Sequence, residues 1–244
     1  MSEIDAAFSA GHHALLFAWL AREAVTLAGD EEGEAAVRHA VRRYGRERGQ
    51  RMAARCRANG HPLSMINFFA YGEWQVPRDQ MSSKFGRKGA DAQMLTYECP
   101  WHRTWQTNDL LPYGRLYCLD IDEAVLAGFN PDLSMAVNST LSSGGPHCAF
   151  LFHGANLNLA NVFLLLYRRS VRPGKGAVMP WPYHTGHLYS TVADVLVEDL
   201  GAAGRRAVAS AMAEFAGWYG EAAARAAKSY RGTDFSILPG AASA

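Results

Sequence analysis

The sequence predicts an α+β fold: a small antiparallel sheet in the middle of the chain, flanked by N- and C-terminal helical hairpins. Three observations carry that prediction. Residues 4–59 and about 185–229 are dominated by Ala, Leu, Glu and Arg, which are strong helix formers. Between them lie short stretches rich in aromatic and β-branched residues, the composition of strands. The turn-forming cluster SSGGP (142–146) separates two of these stretches and marks a hairpin. A chain of 244 residues that is 49% hydrophobic can bury a sizeable interior, as one large domain or two small ones sharing a core. We expect a single domain with a helical part at 4–59, a sheet-containing part at 63–155 and a second helical part at 156–230.

Taken in order, Gly29-Asp30 divides the first helical region, and Gly60-His61-Pro62 ends its second helix. MINFFAY (65–71), QMLTYEC (93–99), SMAVNSTL (134–141) and HCAFLFH (147–153) read as strands. VPRDQMSSKFGRKGADA (76–92) reads as a mobile loop. Pro173-Gly174 opens a bridge to two further helices, at about 185–200 and 204–229. The two helical ends resemble each other. His12, Leu16, Ala21, Val25 and Gly29 match His184, Leu188, Ala193, Val197 and Gly201 at one offset; Gly33, Ala36, Val37 and Ala40 match Gly204, Ala207, Val208 and Ala211 at an offset one shorter. Either a duplicated hairpin or shared helix composition accounts for this.

Lys and Arg number 24 and Asp and Glu 23, so charge gives no reason to expect nucleic acid or an anionic membrane as partner. The run Arg38, Arg42, Arg43, Arg46, Arg48, Arg51, Arg55 and Arg57 is interrupted at helical spacing and reads as a solvated face. Cys56, Cys99, Cys118 and Cys148 form no CxxC pair and match no zinc spacing. With no signal-peptide pattern they read as free thiols in a cytoplasmic protein. No apolar run reaches bilayer length.

The stretch YCLDIDEAVLAGFNPDL (117–133) reads as a short helix stopped by Gly128 and Pro131. Cys118, Ile121, Asp122, Val125 and Phe129 then share one apolar face, widened by Leu119 and Leu126. Asp120 falls on the wet side, whereas Asp122 points inward. An inward carboxylate is either tied to backbone N–H groups or raised in pKa by desolvation until it exchanges protons near neutrality. Cys118 lies one turn before it, and Cys148 shares a strand face with Phe150 and Phe152. Each thiol is packing, or a nucleophile if a base activates it. His147 points away from Cys148. In WPYHTGHLYS (181–190), His184 and His187 project to one side of a helix near Trp181 and Tyr183, as an acid/base pair, a weak metal pair, or simply histidines in the first turns of a helix. CPWHRTWQ (99–106) places Cys99, Trp101 and Arg103 together, either as a core corner or as an aromatic pocket whose Arg suits a small carboxylate. P-loop, GxGxxG, GxSxG and HExxH motifs are absent, and neither metal nor cofactor is expected.

The order of landmarks resembles the L-2-amino-thiazoline-4-carboxylic acid hydrolase family: RRYGRERGQRMA (42–53), CPW (99–101), YGRLYCLDIDEAVLAGFNPDL (113–133), NSTLSSGGPHCAFLF (138–152) and YHTGHLY (183–189). The likeness spans about residues 35–230 and is densest at 97–153; Cys99, Cys118, Asp122 and Cys148 are the positions matching its pattern. It implies hydrolysis of a small ring carrying a C=N bond, such as a cyclic isothiourea on an amino-acid-like substrate. The expected roles are Asp122 as base, His184 or His187 as acid and Arg103 as carboxylate anchor, with Cys99, Trp101, Trp181 and Tyr183 lining the substrate. Direct attack by Cys118 or Cys148 is the competing mechanism. A ring-forming biosynthetic enzyme and a non-catalytic partner subunit are alternative readings. The Ala-rich terminal helices suit a homodimer or a heteromer with a related subunit.

Overall fold

The structure is a computed structural model and describes residues 8–170 and 176–239. Ile4, read as the start of the first helix, and Pro173-Gly174, read as the start of the bridge, lie outside the described residues. The elements are α1 (Ala10–Ala28), α2 (Asp30–Ala58), α3 (Met65–Ala70), β1 (Ser82–Lys88), β2 (Asp91–Glu98), α4 (Pro100–Thr107), α5 (Leu111–Cys118), α6 (Ile121–Phe129), β3 (Met135–Ser139), β4 (Cys148–Phe152), α7 (Leu159–Ser170), α8 (Trp181–Leu200), α9 (Ala202–Tyr219) and α10 (Glu221–Lys228). The class is α+β, with the antiparallel sheet in mid-chain and helices on both sides in sequence, as the composition predicts. Two compact units emerge, each gathered from three stretches: Met1–Tyr44, Pro100–Ile121 and Pro180–Thr233 in the first; Gly45–Cys99, Asp122–Met179 and Asp234–Ala244 in the second. The three consecutive parts read from the sequence run across both.

The first unit is helical. α1 is buried almost all round, from His13 to Val25, because it packs against α4, α5, α8 and α9. A helix with so little exposed surface belongs inside a bundle. The hairpins α1–α2 and α8–α9 share one construction. Gly29 and Gly201, both at positive φ, close the first helices by donating to Val25 O and Val197 O at 2.9 and 3.0 Å. A Cβ on Gly33 would fall 2.5 Å from Val25 Cα, and one on Gly204 would fall 1.9 Å from Leu196 O. Two of the paired positions of the sequence likeness, Gly29 with Gly201 and Gly33 with Gly204, are therefore also paired in geometry. The final helix read at 204–229 is in fact two, α9 and α10, parted at Gly220 (φ 86°).

The second unit carries the sheet, in the order β1-β2-β4-β3 with every pair antiparallel. Met65, Ile66, Leu126, Cys148, Phe150 and Phe152 form its core. Two expectations are corrected here. MINFFAY is helix α3, not a strand: the Ser64 hydroxyl accepts from Asn67 N–H and caps it, and Met65, Ile66, Asn67 and Ala70 are buried. Aromatic content had outweighed that capping signal. Residues 76–92 are not all loop: β1 occupies 82–88 and turns through Gly89-Ala90 into β2, with Lys88 opposite Asp91. Every β1 residue is exposed, so no hydrophobic alternation announces it; backbone pairing holds it.

α2 and α6 cross with backbones almost touching within this unit. A Cβ on Gly49 would sit 2.1 Å from Val125 O, and one on Gly128 would sit 2.3 Å from Arg46 O. Gly128 therefore lies inside the helix it was expected to stop, and its role is this close approach. Gly49→Ala is expected to destabilise the protein by about 1–3 kcal/mol or more, read as a lower urea midpoint; a midpoint within error of the parent would show that the crossing yields freely.

Candidate functional site

The residues expected to act group within their own units. In the second unit, Asp122 sits in the first turn of α6, near the positive helix end that favours a charged carboxylate. Packed protein surrounds it all the same, although part of the residue's surface stays accessible. Burial pushes its pKa from 3.8 up to about 6; the Arg48 charge pulls the other way, and Glu123 adds to the rise. No hydrogen bond from a described residue reaches its carboxylate, so it is not tied to backbone amides. Arg48 is buried and lies over the Trp74 ring, its guanidinium carbon 3.9 Å from the ring centroid. Cys148, at the start of β4, is close enough to feel the Asp122 charge. Burial raises that thiol, the Leu141 N–H at 3.3 Å opposes the rise, and Asp122 adds to it. Cys148 is thus a protonated thiol at neutral pH, a poor resting nucleophile.

The structure alters the helix around this acid. α5 ends at Cys118 and α6 begins at Ile121, so Cys118 and Asp122 do not share one continuous helical face. Leu119 is exposed, while Ile121, Val125, Leu126 and Phe129 are buried. Asp120 is no ordinary surface acid: its mostly covered side chain accepts from Arg38 at 2.7 and 3.0 Å and from Arg42 at 3.4 Å, all in the first unit. The arginine run is not a solvated face either. In the second unit Arg51 and Glu73 are both fully buried and paired at 2.7 and 2.8 Å. Arg55 reaches the same carboxylate at 3.0 Å, and Arg51 donates to Phe235 O at 2.6 Å.

In the first unit a buried cluster forms around His13. The Trp101 indole Nε1–H, which can only donate, points at His13 Nδ1 at 3.1 Å. That fixes His13 as a neutral ring with its hydrogen on Nε2, which donates to Tyr44 Oη at 3.0 Å. The Tyr44 ring lies 4.4 Å from the His187 ring, and the Trp101 ring 5.7 Å from Trp181. His184 packs against Trp181 and Tyr183. Trp101, from one stretch singled out in the sequence, is thus brought against Trp181, from the other stretch, which also carries Tyr183 and His184. Arg103 is exposed on α4, whose buried face carries Trp101 and Trp105. Cys99 directly follows β2 in the second unit, and Cys118 closes α5 in the first; both are half-buried. Asp122 belongs to the second unit, and His184 and His187 to the first.

Sequence reasoning missed Arg48, His13, Tyr44 and the Arg51–Glu73 pair. The signals were a helix-interior glycine beside Arg48 and a histidine within the apolar run of α1. An open groove of about 430 Å³ on α9 and α10, lined by Tyr189, Arg205, Met212 and Lys228 among others, involves none of the residues expected to act. Among the described residues no group of three or more His, Cys, Asp and Glu side chains is placed to hold a metal ion, and no helix is long and apolar enough to cross a membrane.

A half-buried carboxylate without hydrogen bonds among the described residues, set beside a cation and a protonated thiol, is an arrangement suited to moving protons on a small molecule. The chain belongs to the L-2-amino-thiazoline-4-carboxylic acid hydrolase family, whose model matches residues 9–152. The match includes Arg48, Cys99, Trp101, Arg103, Cys118, Asp122 and Cys148; Trp181, Tyr183, His184 and His187 follow it. Neither the curated proteins nor the solved structures provide a match.

Proposed function

We propose that this protein is a small-molecule hydrolase that opens a nitrogen-containing ring, of cyclic amidine or isothiourea type, on an amino-acid-like substrate. The observation that carries the reading is Asp122, a carboxylate that takes no hydrogen bond from the described residues and is raised toward neutrality, in a chain of a family named for such a hydrolase. Deprotonated Asp122 takes a proton from water, and the water oxygen bonds to the ring carbon of the C=N group. The proton then passes to the departing nitrogen or sulfur as the ring bond breaks. Arg48 supplies positive charge for an anionic substrate group or for the charge that develops during attack. Cys148 stays a thiol and shapes the site, which favours water over sulfur as the nucleophile. His184, His187 and Arg103 are not required by these steps and keep their expected roles as a second acid and an anchor to be tested on their own.

The test is product analysis on 2-aminothiazoline-4-carboxylate and a panel of cyclic amidine amino acids. The expected product is the open chain, heavier by one water; a heterocycle formed from an acyclic amino acid would replace this reading with ring closure. Because Asp122 must be ionised to act as base, kcat/KM is expected to rise with pH through about 6 and then level. A rate falling over that window would make Asp122 the acid instead. Cys148→Ala is expected to keep turnover within about tenfold, since it removes no proton carrier. An inactive Cys148→Ala, with a covalent adduct trapped on the parent, would move the chemistry to sulfur.

A further inference from the structure

α7 is anchored on one side only. Leu164 and Leu165 pack on the sheet core. Arg168 donates to Asn67 Oδ1, and Arg169 to the backbone oxygens of Gly72 and Trp74. These bonds fix the rotation of the helix about its axis. The opposite side is bare: Leu159 is 90% exposed, Phe163 73%, Leu166 60% and Tyr167 55%, with Val162 at 36%. They stand at i, i+3, i+4, i+7 and i+8, so they form one stripe. Arg168 and Arg169 are the only charged residues of α7, and both are spent on the inward contacts. Side chains of this size bury about 150–250 Å² each when aromatic. The stripe therefore offers roughly 600 Å² of apolar surface, more than a scattered exposed residue needs and close to the ~800 Å² that each partner contributes to a standard interface.

We infer that this stripe is the interface of a homodimer, with α7 packed antiparallel on α7 of a second copy about a two-fold axis at Phe163. The stripe is suited to its own image. Leu159 and Tyr167 lie four residues to either side of Phe163, so a two-fold axis there sets Leu159 of each copy against Tyr167 of the other, with Phe163 beside its mate. A charge-free stripe meets its copy without like-charge repulsion. The inference stands independently of the proposed reaction.

Sedimentation velocity on the full chain tests it. At tens of micromolar the protein is expected to run at twice the 26.7 kDa of one chain. Phe163→Glu and Leu166→Glu are expected to raise the dissociation constant roughly 100-fold or more, with the circular dichroism spectrum unchanged because neither residue is in the core. Phe163→Cys is expected to oxidise to a covalent dimer that the parent does not form. A wild-type monomer, a dimer indifferent to both glutamates, a chain that gains mass only with a different subunit, or failure of Phe163→Cys to cross-link would each overturn the self-paired interface.

Discussion

Asp122→Asn is expected to lower turnover by about 10²–10⁴ while raising the melting temperature at pH 8. The two effects share one cause. Unfolded, the carboxyl titrates near 3.8; folded, burial holds it at about 6. Between those values the native state binds more protons than the unfolded chain. Stability therefore falls as pH rises through that window and stays at the lower level above it. An amide removes the buried charge, so the variant gains on the order of 1–3 kcal/mol above pH 6 and nothing below pH 4. For a chain of this size that is several degrees in Tm. Melting curves at pH 4 and pH 8, with rates on the same preparations, check both halves. A variant less stable at pH 8 would mean that the carboxylate makes structural bonds, and unchanged turnover would remove it from the chemistry.

Glu73→Gln carries the largest expected loss of stability, about 3–5 kcal/mol. The carboxylate accepts two bonds from Arg51 and one from Arg55, with Arg51 and Glu73 wholly out of water. The amide leaves two guanidinium charges facing a neutral group, in surroundings where water cannot replace the lost charge. Urea denaturation should show a much lower midpoint. Arg51→Met combined with Glu73→Leu is expected to cost less than Glu73→Gln alone, since it withdraws charge of both signs together. A loss under 1 kcal/mol for Glu73→Gln would show that solvent reaches the pair on demand.

What could be read in the sequence followed from local physics. Gly29-Asp30 and Gly60-His61-Pro62 end helices through backbone rules that hold in any context. β4 and β3 were legible because aromatic and β-branched residues bounded by SSGGP have few other readings. β1 was not, because an exposed edge strand owes its existence to a ladder partner rather than to its own pattern. The inward turn of Asp122 was legible from helical spacing, and so was the conflict between burial and charge. The Arg48 and Arg51 environments were not: arginine on a helix reads as a wet face until the acid or ring that covers it is known, and Glu73 and Trp74 lie far along the chain. Gly128 looked like a stop signal because nothing local distinguishes a terminating glycine from one pressed against a neighbouring backbone.

The bond from Arg51 to the carbonyl of Phe235 ties together two residues 184 positions apart, so the donor is synthesised long before its acceptor. While the ribosome is still adding residues 74–234, Arg51 and Glu73 can meet, yet this acceptor does not exist. The second unit therefore completes this bonding only once residue 235 has been made, and a nick near residue 235 would be felt at an ion pair laid down more than 160 residues before it.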